Sequence, residues 1–259
     1  MMDLITVTRD ARGVATLSLA RAEKHNALSA QMMGELEAAA RALAEDDSVR
    51  VVVLAAEGPT FCAGADLGWM REQFGMDGET RKAESRRIAT ALEALVALPQ
   101  PLIGRVQGNA FGGGVGLVAV CDVSIGAQGL KMAFTETRLG LIPANIGPYV
   151  VARMGAVRAR EVFMNARVFD AEEAVRLNLL TRAAPAEELD AAVEAEVAPY
   201  LACAPFAVRD AKALLNALAG GVTPQQVDFA IDGLAARWET EEAQAGIAAF
   251  FDKRKAPWA

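Results

Sequence analysis

One histidine, His25, and three scattered cysteines, Cys62, Cys121 and Cys203, are all that 259 residues offer to the commonest metal and nucleophile chemistries. A zinc site draws on several His or Cys ligands at short spacing, and a Ser-His-Asp triad needs a histidine beside its nucleophile. No metal site is expected on these grounds. The cysteines are odd in number and form no C-x-x-C pair or disulfide framework, so a reduced, cytoplasmic setting is expected. Positive charge is also in the minority: 26 Lys+Arg against 33 Asp+Glu leaves a formal charge of −7. Without a long basic block, no nucleic-acid partner is expected, although a few local cations would suffice for an anionic ligand. No apolar run approaches the ~20 residues of a spanning helix, so no membrane partner is expected either. Asp3 and Asp10 interrupt the stretch where a signal peptide would carry its apolar core.

What is present reads as an α/β chain. LITVTR (4–9) and VATLSL (14–19) alternate around Asp10-Ala11-Arg12-Gly13, a hairpin pattern. Ser29 is placed to cap a helix to about Ala44, with apolar residues every three to four positions. VVVLAA (51–56) and LIGRVQG (102–108) read as buried strands, and VSIGA (123–127) and KMAFT (131–135) as further strands. Between them, residues 69–98 read as a helix interrupted near Gly75 and Gly78. Beyond about 140 the pattern turns mostly helical. Asp170 and Glu173 suggest a capping box on a helix to Leu180, and helices are expected at 187–201, 205–219, 224–237 and 240–251. Residues 1–198 are therefore expected to form the α/β core and 199–259 a helical region.

The stretch GNAFGGGVGLVAVCD (108–122) contains a formal G-x-G-x-x-A match at Gly114–Ala119. A dinucleotide turn would need a full crossover helix and an acid at the end of the second strand. Here two short strands and a turn fill that interval. Small residues for close packing are another reading. The reading that fits better puts free amides at a helix start, where donors point outward. Paired with an amide from FCAGADL (61–67), another small-residue loop expected directly after a buried strand, such an amide would make an oxyanion hole. Glu136 lies between Phe134 and LGLIP (139–143), an otherwise apolar neighbourhood in which burial would raise its pKa and suit it to proton transfer.

RAEKHNAL (21–28), FCAGADL (61–67), NAFGGG (109–114), CD (121–122), ETRLGLIP (136–143) and FFDKRK (250–255) in this order resemble the crotonase, or enoyl-CoA hydratase/isomerase, superfamily over essentially the whole chain. The resemblance implies a crotonase-like spiral of ββα repeats with a C-terminal helical trimerisation region, and a homotrimer or a hexamer built as a dimer of trimers. It implies acyl-CoA substrates, with coenzyme A carried by the substrate and no separate cofactor. By the same resemblance Ala65 and Gly113 supply the oxyanion amides and Glu136 the carboxylate. Arg21, Lys24, Ala27, Asp66 and Leu67 resemble the wall of the CoA cleft, and Phe250, Phe251 and Lys253 the residues near its adenine end. His25 is expected to be a bystander, and Cys62 and Cys121 packing residues.

One departure stands out. Two-glutamate hydratases of the family carry a glutamate two residues after the third glycine, and here that position is Gly116. Hydration by one carboxylate is expected, with a Δ3,Δ2-enoyl-CoA isomerase as the alternative and a non-catalytic acyl-CoA-binding homologue as a lesser one. TETRLGLIPANIGPYV (135–150) resembles bacterial 3-methylglutaconyl-CoA hydratases, so a short branched or carboxylated 2-enoyl-CoA is the expected substrate. Asn145 and Gly147 depart from that pattern.

Overall fold

In the computed structural model, β1 (Ile5–Arg9) and β2 (Val14–Leu19) pair antiparallel about the turn that Asp10 closes by accepting from the Arg12 and Val14 amides. The structure describes residues 2–219, 240–242, 245, 249, 252–255 and 257, with the side chains of 74, 81 and 82 outside that set. Helix α1 (Ala30–Ala44) begins where Ser29 Oγ accepts from the Met32 amide, and it buries Met32, Met33, Leu36, Ala39, Ala40 and Leu43. Each larger side chain in that stripe contributes roughly 1.5–3 kcal/mol by leaving water. The cap and the stripe together explain why the helix starts and faces as it does.

From residue 51 the chain winds through three turns of strand, strand and helix. The first is β3 (Val51–Ala56), β4 (Thr60–Cys62), then α2 (Leu67–Glu72) and α3 (Gly78–Val96). The second is β5 (Leu102–Val106), β6 (Asn109–Phe111) and α4 (Gly113–Ala119). The third is β7 (Val123–Ala127), β8 (Lys131–Ala133), a 3-10 turn at Glu136–Leu139 and α5 (Gly147–Ala159). The first strand of each turn joins a six-stranded sheet and the second a four-stranded one. The chain continues through β9 (Phe169–Asp170), α6 (Ala171–Arg176), β10 (Arg182–Ala184), α7 (Leu189–Leu201) and α8 (Pro205–Leu218). The larger sheet runs β1-β2-β3-β5-β7-β10 and the smaller β4-β6-β8-β9. This is the expected crotonase-like α/β spiral of ββα repeats.

Every residue of β3 is buried because both faces of the larger sheet are covered. Val52 and Leu54 enter the main core with α1, α3 and α4. Val51 and Val53 enter a second cluster with Leu189, Val193 and Val197 of α7. The Cys121-Asp122 pair closes this architecture. Asp122 Oδ2 accepts from the Leu102 amide that starts β5 and from Lys212 Nζ of α8, at 2.7 and 2.6 Å. Arg209, one turn earlier on α8, meets Asp47 at 2.7 Å.

Several expectations need correction. FCAGADL does not follow β3 directly, because Thr60–Cys62 forms β4 first. The strand expected over 131–135 ends at Ala133. The helix after Asp170 ends at Arg176, not Leu180. Only half of its capping box forms: Asp170 accepts from the Glu173 amide, but the Glu173 carboxylate turns to Arg167 and Arg176. Residue 198, the expected boundary, lies inside α7. The helix expected at 224–237 and most of that at 240–251 lie outside the described residues.

Candidate active site

Strands β4, β6 and β8 lie side by side and parallel, with Cys62 beside Ala110, and Ala110 and Phe111 beside Met132 and Ala133. Adjacent strands are ~4.8 Å apart, so the segments leaving their C-terminal ends emerge together. Those segments carry Ala65, Gly113 and Glu136. The three residues are far apart in sequence, and this small sheet brings them to one place.

The first two present backbone donors. Leu28 bridges to Ala65 in parallel register, donating to Gly64 O at 2.8 Å and accepting from the Asp66 amide at 2.9 Å. That pattern uses the residues flanking Ala65 and turns the Ala65 N–H away from Leu28. Gly113 is the first residue of α4, so its N–H has no partner within the helix. No hydrogen bond within the described residues uses either amide. A Cβ on Gly64 would stand 3.7 Å from Gly113 N, which places the two loops in van der Waals contact. The two unused amides thus belong to adjacent loops.

Gly112, which precedes them, has φ 48, a conformation that favours glycine. It turns the chain from β6 into α4 while its amide donates to Ala133 O at 3.0 Å. A Cβ on Gly112 would meet Glu136 Oε1 at 3.1 Å, so the carboxylate packs directly against the turn that presents the Gly113 amide. Glu136 Oε2 is buried and has no hydrogen-bond partner among the described residues. Burial pushes this carboxyl above its ordinary value, against a smaller opposing bond from its own amide. An unpartnered carboxylate oxygen of raised basicity is suited to take and return a proton. Its surroundings differ from expectation: Phe134 is fully buried, but Leu139, Leu141 and Ile142 are exposed and do not cover it.

The remaining glycines of the run have separate duties. A Cβ on Gly113 would stand 2.7 Å from Leu28 Cδ1, and one on Gly114 2.9 Å from Cys62 Cβ. A Cβ on Gly116 would overlap Ile146 Cγ2 and lie 2.9 Å from Ile146 Cβ, with Leu92 Cδ1 at 3.7 Å. Ile146 is buried in the main core. The place where a second carboxylate would begin is occupied by an aliphatic side chain.

Arg21, Lys24, Ala27, Asp66 and Leu67 form one patch beside the Ala65 loop. Arg21 Nη1 meets Asp66 Oδ2 at 2.7 Å and Ala27 O at 3.1 Å, with both ion-pair side chains mostly buried. Asp66 Oδ1 caps α2 through the Gly68 and Trp69 amides. Burial alone would raise the Asp66 carboxyl, but the Trp69 amide, Arg21 and the Gly68 amide outweigh it and hold the group below its ordinary value. Arg21 is thus committed within the protein. Lys24 is exposed and makes no ion pair among the described residues, and Leu67 is 73% exposed. A surface cavity of about 330 Å³ beside this patch is lined by Arg21, Ser29, Gln31, Asp66, Trp69 and Glu72, among others.

Lys253 is exposed, and no described contact joins it to the cluster; Phe250 and Phe251 lie outside the described residues. His25 is exposed, with Nδ1 at 3.2 Å from Thr60 Oγ1. Burial pushes the Cys62 and Cys121 thiols up to about 12, which leaves them as packing residues. Three contributors escaped the sequence reading: Leu28, Ile146 and Asn26. Asn26 is fully buried at φ 53, takes the Arg21 amide on its side-chain oxygen and donates to Glu57 O and Thr60 O. An asparagine before a β-bridge residue is a signal for such a left-handed clamp, since Asn tolerates positive φ.

The chain matches the family described as enoyl-CoA hydratase/isomerase over residues 9–259. It is similar to an enoyl-CoA hydratase from Shewanella pealeana, at TM-score 0.95 and 34% identity over 100% of this chain and 97% of that one. Pseudomonas aeruginosa AtuE matches at TM-score 0.95 and 36% identity, over 99% of this chain and 100% of that one. Among sequences, the mitochondrial methylglutaconyl-CoA hydratase of Mus musculus is 32% identical over 261 residues, covering 94% of this chain and 78% of that one. The fold is that of a crotonase-type enzyme. The chain belongs to the enoyl-CoA hydratase/isomerase family.

Proposed function

We propose that the protein is an enoyl-CoA hydratase that adds water across the C2=C3 bond of a short branched or carboxylated 2-enoyl-CoA. The thioester oxygen sits between the Ala65 and Gly113 amides. Glu136 takes a proton from water as its oxygen bonds to C3, and the C2=C3 electron pair moves onto the thioester as an enolate. The two amides stabilise the charge that develops there. Glu136 then returns the proton to C2, so one carboxylate completes the addition. This reading is supported by two observations: Glu136 Oε1 packs against the Gly112 turn that leads into Gly113, and Glu136 Oε2 is buried with no hydrogen-bond partner among the described residues.

Lys24, with its free charge, is the residue of the Arg21–Leu67 patch best suited to a CoA phosphate, and Arg21 and Asp66 hold the wall in shape. A 3-methylglutaconyl-type acyl group is the finer proposal. It is supported by TETRLGLIPANIGPYV (135–150) and by the similarity to the mouse protein. A cytoplasmic homotrimer or dimer of trimers, joined through residues 199–259, belongs to the same proposal.

A second reading rests on Ile146. With position 116 filled by an aliphatic group, nothing there helps to bind water, and Glu136 alone could move a proton between C4 and C2 in a Δ3,Δ2-isomerisation. A panel of crotonyl-CoA, 3-methylglutaconyl-CoA and a 3-enoyl-CoA, followed by product mass, separates the two. Hydration adds the mass of one water; isomerisation leaves mass unchanged and creates a conjugated thioester.

A further inference from the structure

Leu28 engages both amide-bearing loops, one through its backbone and the other through its side chain. Its backbone forms the parallel bridge to Ala65, at 2.8 Å to Gly64 O and 2.9 Å from the Asp66 amide. Its side chain reaches the other loop: a Cβ on Gly113 would stand 2.7 Å from Leu28 Cδ1. The residue is 1% exposed, so it cannot move aside into solvent. Its own position is held from the N-terminal side, where the Asn26 clamp and the Ala27 carbonyl, bonded to Arg21, fix the chain just before it. On its C-terminal side the Ser29 cap begins α1.

We infer that Leu28 is a positioning residue that sets the separation and angle between the Ala65 and Gly113 amides. The inference rests on the functional reading above, in which those amides receive the thioester oxygen. The bridge fixes how the Ala65 peptide is rotated. The Leu28 side chain fixes how far the start of α4 lies from it. Gly113 is glycine because this spacer approaches its Cα. Donors help only at hydrogen-bond distance from the oxyanion, so a spacer error of a fraction of an ångström acts on the transition state more than on substrate binding.

The test uses the full-length protein and a 3-aryl-2-enoyl-CoA, whose absorption moves to longer wavelength when its thioester carbonyl is polarised. The wild type should red-shift the bound chromophore, and Glu136→Gln should keep that shift while losing turnover. Leu28→Ala should reduce the shift and lower kcat by about tenfold or more, since losing one oxyanion donor outright costs about 10²–10³. KM should change far less. Leu28→Met, which conserves volume, should restore both, and Leu28→Val is read in the same way if the alanine variant does not fold. A folded Leu28→Ala or Leu28→Val with the wild-type shift and kcat, and only a lower melting temperature, would overturn the inference. Absence of any red shift in the wild type would instead overturn the functional reading itself.

Discussion

Adding a single methyl group at position 116 separates packing from propensity, because the two push stability in opposite directions. Gly116 lies inside α4, where replacing glycine by alanine ordinarily gains about 0.8–1 kcal/mol of helix stability. Here the new Cβ would overlap Ile146 Cγ2 and stand 2.9 Å from Ile146 Cβ, well inside the ~3.5–4.0 Å of an ordinary carbon contact. Ile146 is buried and has little room to withdraw. Overpacking of this kind costs about 1–3 kcal/mol, so Gly116→Ala should end up neutral to about 2 kcal/mol less stable. Ile146→Ala alone should cost about 2–5 kcal/mol for the cavity it leaves. The double variant should recover about 1–3 kcal/mol relative to the sum, because the new methyl then enters vacated space. Urea unfolding at one fixed protein concentration measures the cycle, since association would otherwise shift the midpoints. A Gly116→Ala variant more stable than wild type, or a cycle additive to within about 0.5 kcal/mol, would refute the argument that Ile146 holds position 116 closed.

Other outcomes follow from the same geometry. Because burial raises the Glu136 pKa, the folded state binds a proton more tightly than the unfolded chain. Stability from this group is therefore full below its unfolded value, about 4.3, and falls as pH rises through the higher folded value. Glu136→Gln should raise the melting temperature at neutral pH, with the difference vanishing in acid; an equal difference at both pH values would contradict the burial argument. Asp66→Ala removes the cap of α2 and should cost about 0.5–2 kcal/mol from the cap alone. Hydrogen exchange should show faster exchange at the Gly68 and Trp69 amides, which Asp66 now holds, and unchanged protection there would contradict it. A thiol reagent should modify Cys203 in the native protein and reach Cys62 and Cys121 only on unfolding, because the last two are buried.

The parts legible in the sequence were those with long periodic signals or local caps. Helix α1 shows both the Ser29 cap and a full apolar stripe, and β3 is an uninterrupted β-branched and aliphatic run. The small sheet was legible only at β8, which the strand expected over 131–135 covers. Its strands β4 and β6 are three residues each, too short to display alternation, and so merged into a loop and a helix start. That omission matters because this sheet gathers Ala65, Gly113 and Glu136. Burial raises the Glu136 pKa as expected, but the expected apolar segment does not supply the cover. LGLIP (139–143) leaves Leu139, Leu141 and Ile142 exposed, whereas the Gly112 turn packs against the carboxylate. Gly116 was visible as a missing carboxylate; Ile146, the residue that fills the space, comes from a distant segment that only tertiary packing reveals.

In the proposed reaction Glu136, as the single carboxylate beside the amide pair, adds water to an enoyl-CoA. Incubating wild-type protein and Glu136→Gln with 3-methylglutaconyl-CoA and crotonyl-CoA, and following product mass, tests it most directly. The wild type should give a product heavier by one water, and a Glu136→Gln variant that still binds the substrate should give nearly none. A Glu136→Gln variant that hydrates at the wild-type rate, or a wild type whose product keeps the substrate mass, would contradict it.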